Sequence, residues 1–530
     1  MIDIIMCGIS FVISDNLKLI DTESLIDKMV HRGPDDEKYI TYKNKVFFGF
    51  NRLAINDASP DAMQPFVEDG IWLICNGEIF NWKHITEAYD IECKTQCDCE
   101  VIIKLYKKLR ETHENDYATI GKELSNILDG EFAFVIYEED TDVVIASRDP
   151  YGVRPMFIGT QPGTHIFCSE MKGIQHVSNE IEQFKPGHIM VIQDKKSEYY
   201  EYHKEQMIDI TSENMYKEVN RTFREAVKKR LMSDREVCCL LSGGLDSSLV
   251  AGLVSQHFPP YTLRTFSIGL KGSTDLEYAR TVADYIKSNH TSIELSNEEF
   301  LEAIEHVIWT IESYDTTTVR ASVGNYLVAK YINENTDCKV VFNGDYSDEV
   351  TGGYKYMSRC DNPEEFHEET MRLVKNIQFF DSLRSDRCIS SQGLEGRVPF
   401  ADKDFVSVYI SIPVQERMSN NRIEKYVLRK SFDGDNVIPQ DVLWRKKEAF
   451  SDGVSAPENS WHRIIQKHID ETYLSEYQST AQEHNPPTLR ETQYYKTLYK
   501  KYFKTDTVIP YYWLPKYCGD IQDPSARAIL

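Results

Sequence analysis

Val237-Cys238-Cys239-Leu240-Leu241-Ser242-Gly243-Gly244-Leu245-Asp246-Ser247-Ser248, followed by LVAGLVSQH, sets an apolar run against a short polar turn and then a helix-like segment. The run Val237 to Leu241 reads as a buried strand, with Cys238 and Cys239 in the core, and the helix starts at about Ser247. Two glycines let the backbone turn tightly and approach a ligand closely. The helix start adds unpaired N–H groups and a positive dipole end, a combination suited to phosphate. Ser242, Ser247 and Ser248 supply hydroxyls, and Asp246 supplies a carboxylate able to hold Mg²⁺ against phosphates. The Gly-Lys-Ser/Thr ending of a Walker A loop is absent.

Outward from this loop the same rhythm repeats. Thr265 to Ile268 is apolar and precedes a helix from about Leu276; Val340 to Phe342 precedes a helix start at Asp348. Strands alternating with helices predict βαβ units and a parallel sheet covered on both faces, with ligands at the carboxyl ends of the strands. The first third reads differently. Val46 to Ile55, Trp72 to Cys75, Phe132 to Tyr137 and Val143 to Ser147 are short apolar or alternating runs bounded by Gly, Asn, Asp or Pro, as strands and turns are. Polar residues crowd between 194 and 214, so residues 7–195 are read as one domain, 196–215 as a linker and 216–530 as a second domain.

The whole chain has 530 residues, enough for two to four domains, each with its own core. It is 41% hydrophobic and 27% charged, the composition of a folded protein rather than a disordered one. A net charge of −24 argues against nucleic acid as a partner, so any bound phosphate must be held by local amides and a few placed cations. No apolar run nears the roughly 20 residues of a membrane span, and Met1 to Ser10 lacks the basic start of a signal peptide. Twelve scattered cysteines fit a reducing, cytoplasmic setting. Cys93, Cys97 and Cys99 cluster, but no Cys or His pair follows at zinc-ligand spacing, so they read as three thiols on one segment.

Near the start stands Cys7-Gly8-Ile9, after Met6. A cysteine at the head of a chain carries its own base, because its α-amine titrates near ~8 and its thiol near ~8.5. Further strings accompany it: His31-Arg32-Gly33-Pro34-Asp35, Asn51-Arg52-Leu53-Ala54-Ile55, Asn76-Gly77-Glu78-Ile79-Phe80-Asn81, Asp98-Cys99-Glu100 and Arg148-Asp149-Pro150-Tyr151-Gly152-Val153-Arg154-Pro155. Arg is suited to a bidentate grip on a carboxylate, and paired carboxylates to an ammonium.

Together these strings resemble a glutamine amidotransferase domain of the N-terminal nucleophile class, and the loop at 242–248 resembles the pyrophosphate loop of ATP pyrophosphatases. The pair, in this order, is similar to the glutamine-hydrolysing asparagine synthetase family. The likeness continues through Tyr314 to Gly324, Gly393 to Phe400, Trp444 to Gly453, Tyr512 to Lys516 and Asp523 to Arg527. It implies an αββα sandwich followed by a parallel-sheet α/β domain, and small-molecule partners only: glutamine, aspartate and ATP, with Mg²⁺. No nucleic acid or membrane is implied, and a homodimer is compatible with it without being decided by it.

The resemblance also implies residue roles. Cys7 attacks the glutamine amide, and Asn76 and the Gly77 N–H form the oxyanion hole. Arg52 holds the α-carboxylate, Glu78 and Asp98 the α-amine, and Leu53, Ala54, Ile55 and Asn56 complete the glutamine pocket. Leu240, Ser242, Gly243, Gly244, Ser247, Ile268, Asn343 and Gly344 contact ATP or pyrophosphate, and Lys447 neutralises phosphate charge. Asp246 and Asp348 are the Mg²⁺ carboxylates, and Asp345 is the carboxylate that serves the acyl-adenylate. Aspartate attacks the α-phosphorus to give β-aspartyl-AMP and pyrophosphate, and ammonia carried inside the protein from glutamine displaces AMP.

Two departures stand out. Six residues precede Cys7, so a free α-amine beside the thiol requires their removal, and the active chain is expected to begin at Cys7. The string Asn343-Gly344-Asp345-Tyr346-Ser347-Asp348-Glu349 stands where the family usually reads Ser-Gly-Glu-Gly-Ser-Asp-Glu. Asp345 is shorter than Glu by about 1–1.5 Å of reach, and a misplacement of about 1 Å can cost ~100-fold in rate. Tyr346 is strained if this position needs a positive φ. Two competing readings are a relative that adenylates another carboxylate, as in β-lactam formation, and a non-catalytic scaffold that keeps the fold.

Overall fold

A computed structural model describes residues 7–33, 35–420, 422–447, 453–456, 459–473, 483–519, 521 and 523–524. Met6, Pro34, Glu448 to Asp452 and Ser525 to Arg527 of the strings above lie outside the described residues. The chain divides into two compact units. One comprises residues 1–205 with 232–235 and 390–395; the other comprises 206–231, 236–389 and 396–530.

The first unit holds two six-stranded sheets. In one, the strands run Glu180–Gln183, Phe157–Gln161, Thr164–Cys168, Gly8–Ser14, Val46–Arg52 and Asp36–Tyr42. In the other they run Lys196–Glu201, His188–Gln193, Val143–Arg148, Gly130–Glu138, Ile71–Ile79 and Phe66–Glu68. Every neighbour pair with a described register is antiparallel. Inner-face residues of both sheets form one core, in which Phe48 stacks on Trp72 at 5.1 Å with Phe11, Ile74 and Val135 around them. The other face of the second sheet packs on helices Glu100–His113 and Tyr117–Ile127 through Leu105, Ile120, Leu124 and Ile145. Short helices Thr22–Asp27 and Met171–Ile174 cover the first sheet. This is the αββα sandwich.

The linker expected at 196–215 is shorter than the sequence reading gave. Lys196–Glu201 pairs antiparallel with His188–Gln193, from Gln193↔Lys196 to His188↔Glu201. Its residues are polar because it is an edge strand, largely exposed, where charge guards against unwanted pairing.

The second unit is built on a five-stranded sheet in the order Asn289–Leu295, Arg264–Leu270, Glu236–Leu240, Cys338–Phe342 and Glu395–Arg397, and the three described registers are parallel. Cys238 and Cys239 are fully buried. From Glu236–Leu240 the chain moves outward on one side to the next two strands, then returns to the other side at Cys338–Phe342. The strand order therefore reverses at these two neighbours, where an open parallel sheet leaves a crevice at its carboxyl edge. Among the described residues, no helix is long and apolar enough to cross a membrane.

Candidate functional site

In the first unit, Cys7 immediately precedes the strand Gly8–Ser14 and is partly buried. Its thiol accepts from the Leu53 N–H at 3.3 Å and donates to the Leu53 carbonyl at 3.4 Å. Burial pushes this thiol up to about 12, with Leu53's hydrogen bond opposing. Arg32, from the His31-Arg32-Gly33 string, donates to the Cys7 carbonyl at 3.1 Å and pairs with Glu170 at 2.7 Å, a support the sequence reading did not assign.

The strand Ile71–Ile79, in the second sheet, carries Asn76, Gly77 and Glu78. Asn76 is 1% exposed and its Nδ2 has no hydrogen-bond partner, a buried donor left for something the chain does not provide. Gly77 sits opposite Phe132; a Cβ there would overlap the Glu131 carbonyl and lie 2.7 Å from Phe132 Cα. Asn56 Nδ2 donates to Glu78 at 2.6 Å and to Asp98 at 3.4 Å, so its amide stands between the two carboxylates expected to hold an ammonium. Asp98 also accepts from the Ile79 N–H at 2.5 Å. The Ala54 N–H donates to Asp35 at 2.9 Å, while Leu53 and Ile55 are buried. Arg52 reaches the Ser59 carbonyl at 2.9 Å and the Asp57 carbonyl, and makes no described pair with a carboxylate of this pocket. Cys99 lies against the thiols of Cys97 and of Cys75, which stands on the strand Ile71–Ile79.

In the second unit, a cavity of about 220 Å³ opens at the crevice between Glu236–Leu240 and Cys338–Phe342. It gathers Leu240, Ser242, Gly244, Asp246, Ser247, Ile268, Asn343, Gly344, Asp345, Asp348 and Lys447. Gly243 is the one candidate that does not line it. With φ +73° it turns its α-carbon toward the neighbouring helix, where a Cβ would meet Ala279 N at 2.5 Å, and its carbonyl accepts from Arg445 at 3.1 Å. Both the positive φ and the close approach of that helix require glycine here. The helix Leu245–Ser255 points its N-terminus into the loop, and Ser242 and Ser247 hydroxyls meet at 3.0 Å across it. Gly344 lets the second strand's loop close on this helix start, since a Cβ there would lie 2.6 Å from the Ser247 N.

Charge is concentrated in this cavity. Lys425 lies between Asp246 at 2.7 Å and Asp348 at 2.5 Å, and Lys447 pairs with Asp348 as well. Burial pushes the Asp348 carboxyl up, but the two ammonium groups outweigh it and hold it well below the usual carboxylate range. Lys425 was missed from sequence, where it is an isolated lysine in a polar stretch. Asp345 Oδ1 pairs with Arg384 Nη2 at 2.7 Å, while its buried Oδ2 has no hydrogen-bond partner. Burial pushes the Asp345 carboxyl up to about 6, with Arg384 opposing. Arg384 also pairs with Asp381 at 3.3 Å. Burial, then Asp381, raises Glu349 well above its ordinary value. Tyr346 adopts φ +73°, so the strained conformation anticipated for a side chain at this position is present.

A glutamine amidotransferase domain family matches residues 6–183, and the asparagine synthase family matches 218–362 and 358–507. The chain belongs to the asparagine synthetase family. It is 38% identical to asparagine synthetase [glutamine-hydrolyzing] of Gallus gallus, over 99% of this chain and 98% of that one. It is equally 38% identical to a probable asparagine synthetase [glutamine-hydrolyzing] of Acanthamoeba polyphaga mimivirus, over 99% of this chain and all of that one. The human asparagine synthetase shows the same identity and coverage as the Gallus protein. The family reaction is the ATP-dependent conversion of aspartate to asparagine with glutamine as nitrogen donor, and this chain carries both of the domains that reaction needs.

Proposed function

We propose that Cys7 releases ammonia from glutamine and that the cavity of the second unit uses ATP to activate aspartate for attack by that ammonia. At the first site the Cys7 α-amine, freed once residues 1–6 are removed, takes the thiol proton as the sulfur adds to the glutamine amide carbon; Asn76 Nδ2 with the Gly77 N–H receives the oxyanion, whose collapse breaks the C–N bond, returns that proton to the departing ammonia and leaves a thioester that water hydrolyses to glutamate and the free thiol. Glu78 and Asp98 take the α-ammonium in place of the Asn56 amide, and Arg52 takes the α-carboxylate, on exchanging its carbonyl partners. The orphaned Asn76 donor supports the oxyanion role, because a buried amide without a partner is costly unless a reaction uses it.

At the second site, Leu240 and Ile268 offer apolar walls for the nucleotide base. The loop amides from Ser242 to Ser247 and the Lys447 ammonium hold the β- and γ-phosphates as pyrophosphate leaves. Asp246 and Asp348 fit a hard divalent cation such as Mg²⁺, since both are oxygen donors and already share a cation, the Lys425 ammonium. Bound there, Mg²⁺ would neutralise phosphate charge. Asp345 Oδ2 faces the acyl-adenylate step, and Arg384 holds its partner oxygen. All twelve cysteines are free, in keeping with a reducing cytoplasmic compartment.

The observation that carries the second-site reading is the convergence of Asp246, Asp345, Asp348, Lys425 and Lys447 on one cavity at the reversal point of the sheet. Incubation with ATP, Mg²⁺, ammonium and aspartate should yield AMP, pyrophosphate and asparagine in equal amounts. Pyrophosphate release only with a different carboxylate would replace aspartate as substrate. No nucleotide turnover with any carboxylate would leave a binding protein.

A further inference from the structure

The loop that carries Asp345 is fastened on both sides. On one side Gly344 packs against the start of Leu245–Ser255, and the Asp345 N–H donates to Asn343 Oδ1 at 3.0 Å. On the other side two successive residues reach the same neighbouring segment: Asp345 pairs with Arg384, and the Tyr346 hydroxyl hydrogen-bonds the Ser382 hydroxyl. Ser382 immediately precedes the π-helical turn Leu383–Cys388, a wide turn of the kind found at functional sites. Tyr346 is 1% exposed, in a left-handed conformation that disfavours any side chain. A buried tyrosine in that conformation persists only where its contacts over-determine it.

We infer that Tyr346 is a positioning residue: its side chain, anchored on Ser382, holds loop 343–348 in the left-handed turn and so sets where the Asp345 carboxylate stands in the cavity. This rests on the reading of Asp345 given above. Aspartate and tyrosine at 345 and 346 then act as a matched pair. A shorter carboxylate is tolerable because the loop is drawn to a fixed distance from residues 382–384. Lengthening the carboxylate overreaches while the tyrosine stays; glycine at 346 keeps φ +73° without cost but releases the anchor.

The test is ammonium-dependent asparagine and pyrophosphate formation by the full chain with ATP and Mg²⁺. The proteins compared are the parent, Tyr346→Phe, Tyr346→Gly, Asp345→Glu, the double variant Asp345→Glu/Tyr346→Gly, and Asp345→Asn. Thermal melting and glutamine hydrolysis on the same samples correct for the folded fraction. Tyr346→Phe loses only the hydroxyl and should lower kcat about three- to tenfold while the KM for ATP stays within about twofold. Tyr346→Gly should be slower still, Asp345→Glu no faster than the parent, and the double variant at least about tenfold faster than the product of the two single effects predicts. Parent rates in both Tyr346 variants, or additive behaviour of the double variant, overturn the inference. So does an equal fall in melting temperature and activity in Tyr346→Phe without a kcat change per folded molecule. If Asp345→Asn itself runs at the parent rate, the catalytic reading of Asp345 falls and this inference with it. If Asp345→Asn is slow but both Tyr346 variants are normal, only the positioning role is lost.

Discussion

The pocket around Cys7 and the pocket around Asp246 are held in shape by different means. The first is set by strand geometry. Asn76, Gly77 and Glu78 take their places from the register of Ile71–Ile79 on Gly130–Glu138, and the groups flanking Cys7 are backbone atoms of Leu53 and a guanidinium on its carbonyl. The second is set by loops and charge. Its acids and bases come from five separate segments and face each other in a buried space, which moves Asp345 and Glu349 up and Asp348 down. A site fixed by hydrogen-bonded strands tolerates loss of one side chain without collapse. A site fixed by mutual charge does not, because each group is a counter-ion to the next. The substituted string, Asn343 to Tyr346, lies in the second pocket, where loops rather than ladder register decide positions.

Removing the proposed nucleophile should separate the pockets most sharply. Cys7→Ala should abolish glutamine-dependent asparagine formation and leave ammonium-dependent formation intact, assayed with each nitrogen source in turn; equal loss with both would show that the pockets do not work independently. Next in size is Lys425→Met, which leaves Asp246 and Asp348 facing each other. It should cost about 3–5 kcal/mol of stability at pH 7, read by urea unfolding. Asp348 is depressed in the folded state, so its stabilising share is present above the unfolded carboxylate value near ~4 and is lost as pH falls below it; the gap between parent and variant should narrow in acid. A gap that does not change with pH would place the effect in packing instead.

Asn76→Ala probes the strand-built pocket in the corresponding way. Glutamine hydrolysis should fall by about 10²–10³ in kcat with stability nearly unchanged, since the Nδ2 has no partner to lose. A stability loss as large as that of Lys425→Met would show that both pockets are held in the same way. The smallest effect is a pH limb. With Asp345 pushed up to about 6, synthesis at a fixed concentration of free NH3 should decline by up to about tenfold per pH unit below that value, and Asp345→Asn should lack the limb. Retention of the limb in Asp345→Asn would assign it to another group.

The contiguous chemistry was legible without a structure. Ser242 to Ser248 announces a strand, a tight turn and a helix N-terminus, and these stand within one or two residues of the expected places. Asn76-Gly77-Glu78 was likewise read as a unit. Groups that act only across long separations left no such trace. Lys425 lies 179 residues from Asp246, and Arg384 is an ordinary arginine beside ordinary aspartates until the fold turns it onto Asp345. The strand Lys196–Glu201 was passed over because edge strands carry the polar composition of linkers.

By itself, then, the sequence determined the two-domain order, the Cys7-Gly8 start of the first domain, the glycine-serine loop at 242–248 and the substituted string at 343–346, because each is a property of neighbouring residues: local backbone conformation and local chemistry. Only the tertiary structure decided that Lys425 neutralises Asp246 and Asp348, that Asn56 stands between Glu78 and Asp98, and that Tyr346 is buried at φ +73° against Ser382. Those are pairings of distant residues. Burial sets their strength by removing water, and no reading of adjacent letters carries that information.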